Sequence, residues 1–203
     1  DFVAEKLLDN EYLTCLELMR KLNPDRQLAL ASYISYPRST DVINALRVGL
    51  CPKDYVDSDK CGACATRECY GIAAIHDREL FSRLLKPGER SALFISPSKI
   101  QRRYGHHLVY FYYVDLENEV ARVEIPMWVA KDRELLDLSH ALVVDQCQRG
   151  HGYPVALSEA HEKAVVTGAD RENFWQLVET SMVGEHLPTD GSAKSQSKRT
   201  RWV

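Results

Sequence analysis

Tyr153 and His161, joined through Pro154 and Ser158, are the side chains in this sequence whose types and spacing most readily do chemistry. Read with Ser158 as N-cap, the Tyr-Pro corner feeds a helix whose first turn carries His161. A phenol and an imidazole then sit close to one helix N-terminus. Unpaired N–H groups at such an end attract anions, and an imidazole can ligate a divalent cation or move a proton near neutral pH. The pair suits a phosphate or a metal ion. Glu159 and Glu162 flank His161 and are expected to be solvated.

Hydrolysis of a phosphodiester needs bound metal, a positioned water and charge stabilisation at the leaving oxygen. Hard divalent ions want carboxylate oxygen, and a mixed carboxylate and imidazole site favours Mn²⁺ over Mg²⁺. Asp41 is the leading local carboxylate. It follows a strand that ends at Ser35, the position where ligands gather in open α/β sheets, although a first-turn Asp that complements a helix dipole has the same signature. Arg38 is a candidate phosphate contact, while Arg122 and Glu124 alternate along a strand and are placed to pair with each other. Cys51, Cys61, Cys64 and Cys69 form a separate group. One Cys-x₂-Cys pair with flanking cysteines permits zinc or an iron–sulfur cluster, and free or redox-active thiols are the alternative. Cys15 and Cys147 fall on helix stripes and read as core.

The elements that must position these side chains follow from periodicity. Leu8, Tyr12, Cys15, Met19 and Leu22 make one stripe of a core-facing helix over residues 2 to 22, ending near Asn23-Pro24. Leu28 to Ser35 reads as a buried strand stopped by Pro37. Ser39 or Thr40 then caps a helix through Arg47. Cys51 to Cys69 reads as a structured loop, and Asp77 to Leu85 as a short helix. A strand over 91–95 precedes a hairpin of 108–114 with 119–125, turning at 115–118. A helix from Asp132 to Gln148 ends at Gly150 and Gly152, and after the short His161 helix a last helix spans Asp170 to about Thr180.

Five segments in fixed order carry a family resemblance: Ala31-Ser32-Tyr33-Ile34-Ser35-Tyr36-Pro37-Arg38-Ser39-Thr40-Asp41-Val42, Leu85-Lys86-Pro87-Gly88-Glu89-Arg90-Ser91, Ala121-Arg122-Val123-Glu124-Ile125-Pro126, the Tyr153-to-His161 segment, and the tail Lys198-Arg199-Thr200-Arg201. This order resembles the C-terminal half of the NurA nucleases, DNA-end-processing enzymes that work with HerA-type hexameric ATPases. The resemblance implies an α/β fold with a partial RNase H-like core, an added antiparallel β-hairpin and C-terminal helices. It also implies hydrolysis of DNA with Mn²⁺ or Mg²⁺. Tyr153 and His161 fall on family positions near the metal centre. Metal ligation or proton transfer is thereby assigned to His161, and a hydrogen bond to phosphate or metal-bound water to Tyr153. DNA and a HerA-like ATPase are the implied partners, and a homodimer the expected assembly.

In the family the metal site starts with an Asp-Gly-Ser motif on an early strand. The one Asp-Gly-Ser in this sequence, Asp190-Gly191-Ser192, lies in a polar stretch after Pro188 and reads as a turn. Three explanations stay open: a piece of a longer nuclease, a strand supplied by another polypeptide, or a non-catalytic DNA-binding or interaction subunit. A helical pattern starting at once in Asp1-Phe2-Val3-Ala4 favours a natural start further upstream. A cysteine-cluster protein that recognises a partner is a weaker reading.

Composition sets the outer limits. At 203 residues with 45% hydrophobic content the chain can bury a real core. Neither a bilayer-length apolar run nor a leader-like start is present, so a cytoplasmic protein with no membrane partner is expected. The formal charge is −3, but the stretch from Lys194 to Val203 carries Lys194, Lys198, Arg199 and Arg201 without an acid, leaving −7 on the rest. Nucleic-acid contact must then come from local patches, of which Lys198, Arg199 and Arg201 are the expected one. The domain is expected over residues 1–183, with the Cys-rich loop at 51–69 and a polar, basic tail at 184–203.

Overall fold

The structure, a computed structural model, describes residues 11–26, 28–53, 56, 60–61, 64, 68–165 and 167–184. The chain divides into two compact units, Asp1–Val155 and Ala156–Val203. No helix among the described residues is long and apolar enough to cross a membrane.

The first unit is built around the hairpin that the alternating pattern announces. Strands β3 (Val109–Asp115) and β4 (Val120–Pro126) pair antiparallel in register from Val109 opposite Pro126 to Asp115 opposite Val120. Strands β1 (Ser32–Ile34) and β2 (Phe94–Ile95) flank them, also antiparallel, giving the order β1-β4-β3-β2. The two-residue period of a strand sends alternate side chains to opposite faces. One face, with Tyr112, Val114, Ala121, Val123 and Ile125, packs against Val129 of α4 (Met127–Ala130) and Leu135 and Leu136 of α5 (Arg133–Arg149). The other, with Phe111, Tyr113 and Val120, packs against Val42 of α2 (Asp41–Gly49) and Phe81 of α3 (Asp77–Leu84). Helices therefore cover both faces of the hairpin. Each large apolar side chain buried this way contributes about 1.5–3 kcal/mol.

Several expected elements differ. Strand β1 is three residues long, lies at a sheet edge and exposes Ser32 and Ile34, where a buried strand over Leu28 to Ser35 was expected. An unbroken apolar run fits a buried strand or an irregular segment equally, and only one side of this strand finds a partner. At the opposite edge, β2 is limited to Phe94–Ile95, because the Ser91 side chain takes the Tyr113 N–H that a longer strand would bond through its backbone. Helix α1 (Leu13–Arg26) continues past Pro24 and leaves Tyr12, Cys15, Met19 and Leu22 exposed. Its buried residue is Leu16, and it meets the 3₁₀ turn Gly105–His107 through Glu17, so the predicted stripe, Cys15 included, has no sheet to face. The first part of that stripe, with Leu8, lies outside the described residues. Cys147 is buried as expected.

In the second unit, the Ser158 cap expected from sequence is not used. Helix α6 (Val155–Ala164) starts directly after Pro154, whose fixed φ prepares the first turn, so Ser158 is internal and His161 is in the last turn. Helix α7 (Gly168–Gly184) starts two residues earlier than Asp170. The Asp170 N–H donates to the Thr167 hydroxyl and the Thr167 N–H donates to the Asp170 carboxylate, a reciprocal cap that makes Gly168 the first helical residue.

Candidate functional site

Polar side chains gather at three places in the first unit. The first is Asp77, fully buried at the start of α3. Its carboxylate accepts from the backbone N–H of Val42 at 3.1 Å, of Ile43 at 2.9 Å, and from the Tyr113 hydroxyl at 2.7 Å. Asp77 thus caps α2 from outside, a task that sequence reading gave to Ser39 or Thr40. The Ser39 hydroxyl is engaged instead with Tyr113 at 2.7 Å, and Thr40 forms no side-chain cap. Burial, together with the Asp77 charge, holds the Tyr113 phenol well above its ordinary pKa. Every contact of Asp77 is internal, and the cluster is structural.

The second place is a cavity of about 430 Å³ beside β4, lined by Asp41, Ser96, Gln101, Tyr104, Arg122 and Glu124 among others. Arg122 and Glu124 share a strand face, and the register sets them opposite Tyr113 and Phe111. Arg122 is 6% exposed, and its guanidinium carbon lies 3.7 Å from the Phe111 ring centre. It donates from Nη1 to Asp41 Oδ2 at 2.6 Å, and from Nε and Nη2 to Glu124 Oε1 at 2.9 and 2.8 Å. Burial works against the Arg122 charge, but the Asp41 bond and the Glu124 carboxylate outweigh it and hold its pKa above the ordinary value. Asp41 Oδ1 and Glu124 Oε2 are not used in these bonds. The pairing of Arg122 with Glu124 was legible in the sequence, whereas the junction with Asp41, 81 residues away, was not.

The third place surrounds Tyr153. The turn that presents it needs glycine: a Cβ on Gly150 would meet the Tyr153 carbonyl oxygen at 1.9 Å, and Gly152 has φ +111°. Tyr153 is 40% exposed, with its ring edge-on to Tyr33 at 5.6 Å. Glu119, which sequence reasoning passed over, organises this corner. It accepts from the Tyr33 hydroxyl at 2.7 Å, the Ser35 hydroxyl at 2.9 Å and the Tyr36 N–H at 3.1 Å, and Tyr36 has φ 47°. Burial first, and the Glu119 bond second, push the Tyr33 phenol far above its usual pKa, so it serves as a neutral donor. Burial also raises the neighbouring Cys147 thiol, which makes it a packing group and not a nucleophile.

The remaining candidates are dispersed. Arg38 is exposed on the loop leading to α2, and His161, Glu159 and Glu162 are exposed on α6 in the second unit. No disulfide joins Cys51, Cys61, Cys64 and Cys69. Lys198, Arg199, Arg201 and Asp190-Gly191-Ser192 lie outside the described residues. Among the described residues no three His, Cys, Asp or Glu side chains converge on a possible metal position. The cavity does not fit a divalent ion either. It offers two carboxylates tied to a buried guanidinium, whose charge opposes a second cation, where such ions take about six oxygen ligands.

The model of the NurA domain matches residues 6–166 of the chain. No curated protein and no solved structure matches it.

Proposed function

This chain belongs to the NurA family, a family of nucleases, and from that premise we propose that it is the substrate-positioning part of a metal-dependent DNA nuclease with an RNase H-like core. The carboxylates that hold the metal come, in this reading, from outside the described residues. Mn²⁺ or Mg²⁺ supplies Lewis-acid stabilisation at the scissile phosphate when bound. Tyr153 donates a hydrogen bond toward a phosphate oxygen, a role that fits its exposure on a glycine-built turn. His161, exposed on α6, moves a proton or ligates the ion. Glu119 acts through Tyr33 as a positioning residue for the Tyr153 ring. A HerA-like hexameric ATPase and a second copy of the chain are the partners of this reading.

The observation that carries it is the family match across most of the chain, through both Tyr153 and His161. A second reading, a DNA-binding or interaction subunit without catalysis, is favoured by the missing three-ligand cluster among the described residues. The two separate in the longest natural polypeptide that carries this chain. Under the first reading, Tyr153→Phe and His161→Ala lower Mn²⁺-dependent cleavage of a labelled DNA much more than they weaken DNA binding. Equal cleavage by both variants and the parent returns the two side chains to packing roles, and no cleavage by the parent selects the second reading.

A further inference from the structure

The cavity beside β4 is bordered by a segment of opposite character to the rest of the chain. Between Glu89 and Asp115 there is no acidic residue, while Arg90, Lys99, Arg102 and Arg103 are all present in a chain of net charge −3. Lys99, Arg102 and Arg103 belong to the 3₁₀ turn Lys99–Arg103, where all three are exposed, and the next residue, Tyr104, lines the cavity. The same turn contributes Gln101, which is 9% exposed. The Val109 N–H donates to Gln101 Oε1 at 2.8 Å, which fixes the amide so that its nitrogen is the end left over, and that nitrogen has no partner among the described residues.

The amide of Gln101, carboxylate oxygens of Asp41 and Glu124 outside the Arg122 bonds and the Tyr104 ring therefore belong to residues that line one cavity. Its volume lies within the roughly 300–1,000 Å³ typical of small-ligand pockets. The donor and acceptor pattern complements the Watson–Crick edge of a base with an exocyclic amino group. Cytosine meets it well: its N4 amino group donates to Glu124 Oε2 or Asp41 Oδ1, and its O2 and N3 accept from Gln101 Nε2. Single-stranded nucleic acid is held in this way elsewhere, by cations on the backbone and an aromatic side chain against an unstacked base.

We propose that this cavity receives one unpaired, amino-bearing base of a single DNA strand, whose flanking phosphates lie on Lys99, Arg102 and Arg103. The inference rests on the nucleic-acid reading above and adds to it the binding subsite and its base preference. The site also explains why Arg122 is clamped between two carboxylates. Each presents one oxygen to the guanidinium and keeps the other for the base.

The test is fluorescence-anisotropy binding of short labelled oligo-dC, oligo-dT and abasic strands to the 203-residue chain in excess chelator, so that cleavage does not enter. The parent binds oligo-dC roughly tenfold more tightly than the abasic strand and several-fold more tightly than oligo-dT. The double variant Lys99→Ala, Arg102→Ala weakens all three strands by about tenfold and flattens the log K against log salt slope by about 1.4. Glu124→Gln keeps an oxygen for Arg122 but turns the cavity oxygen into a donor, so the preference moves toward oligo-dT. Equal binding of oligo-dC and the abasic strand by the parent, or an unchanged base preference in Glu124→Gln, overturns the proposal while the nuclease reading stands. Failure of the parent to bind any strand overturns both. Saturable Mn²⁺ binding without DNA, abolished by Glu124→Gln, assigns the cavity to a cation and likewise overturns it.

Discussion

Asp77 and Asp41 are both first residues of helices on the same side of the central hairpin, yet the surroundings make them opposite kinds of carboxylate. Asp77 is fully buried and accepts from two backbone N–H groups and a phenol, which leaves nothing for a ligand. Asp41 keeps 29% of its side chain exposed, bonds Arg122 through one oxygen and turns toward a cavity. Residue type and helix position are the same. What separates a structural acid from one available for chemistry is how many of its lone pairs the protein has already filled.

The sharpest way to break this contrast is to remove each carboxylate in turn. Asp77→Ala leaves the Val42 and Ile43 N–H groups and the Tyr113 hydroxyl without their acceptor, and should cost about 3 kcal/mol or more in urea unfolding. A loss below about 1 kcal/mol would show that water replaces the carboxylate and that the cluster is not structural.

Next in size is Arg122→Met, which leaves Asp41 and Glu124 facing each other without their shared cation. At pH 7 this should cost about 2 kcal/mol in urea unfolding, because two like charges are left together. A deficit that shrinks in the double variant Arg122→Met, Glu124→Gln supports the triad, and one unchanged in it argues against it.

Asp41→Asn and Glu124→Gln should each cost only about 1 kcal/mol or less, because both side chains are partly solvated. Their effect belongs to binding. Comparable destabilisation by Asp41→Asn and Asp77→Ala would erase the distinction between the two acids.

The smallest expected effect concerns His107 and His140, both held below the ordinary histidine pKa chiefly by burial. A base with a depressed folded pKa favours folding fully above its unfolded pKa of about 6.5, and that contribution is lost as pH falls through the folded value. Melting temperature should therefore decline modestly from pH 7.5 to 5.5, and His140→Gln should flatten the decline. An unchanged slope in that variant removes His140 from the account.

The hairpin and α5 were legible because they follow from short-range patterns: alternation over seven residues, and a periodic run with a glycine after it. Pairings across the sequence were not. Glu119 bonds Tyr33 from 86 residues away, and Asp77 caps a helix that starts 36 residues before it, so neither carries a local signal. The His161 helix shows a different limit. Ser158 and Pro154 both mark helix starts, and proline, which fixes the backbone itself, prevailed over a side chain that only bonds to it. The α1 stripe was a sound period without a surface to meet. Of the residues gathered here, Asp41 and Tyr153 were named as candidates and Arg122 with Glu124 only as a pair, while Gln101, in an unremarkable turn, could be found only from its environment.

The central claim is that this chain holds DNA without a metal centre among its described residues. One measurement tests it most directly: incubating the purified 203-residue chain with an end-labelled single strand and Mn²⁺, and following retention and cleavage in the same samples. The account predicts a retained, uncut strand, released by Lys99→Ala, Arg102→Ala. Mn²⁺-dependent cutting that persists through repurification and disappears in Asp41→Asn would contradict it, placing the metal in the cavity now assigned to a base.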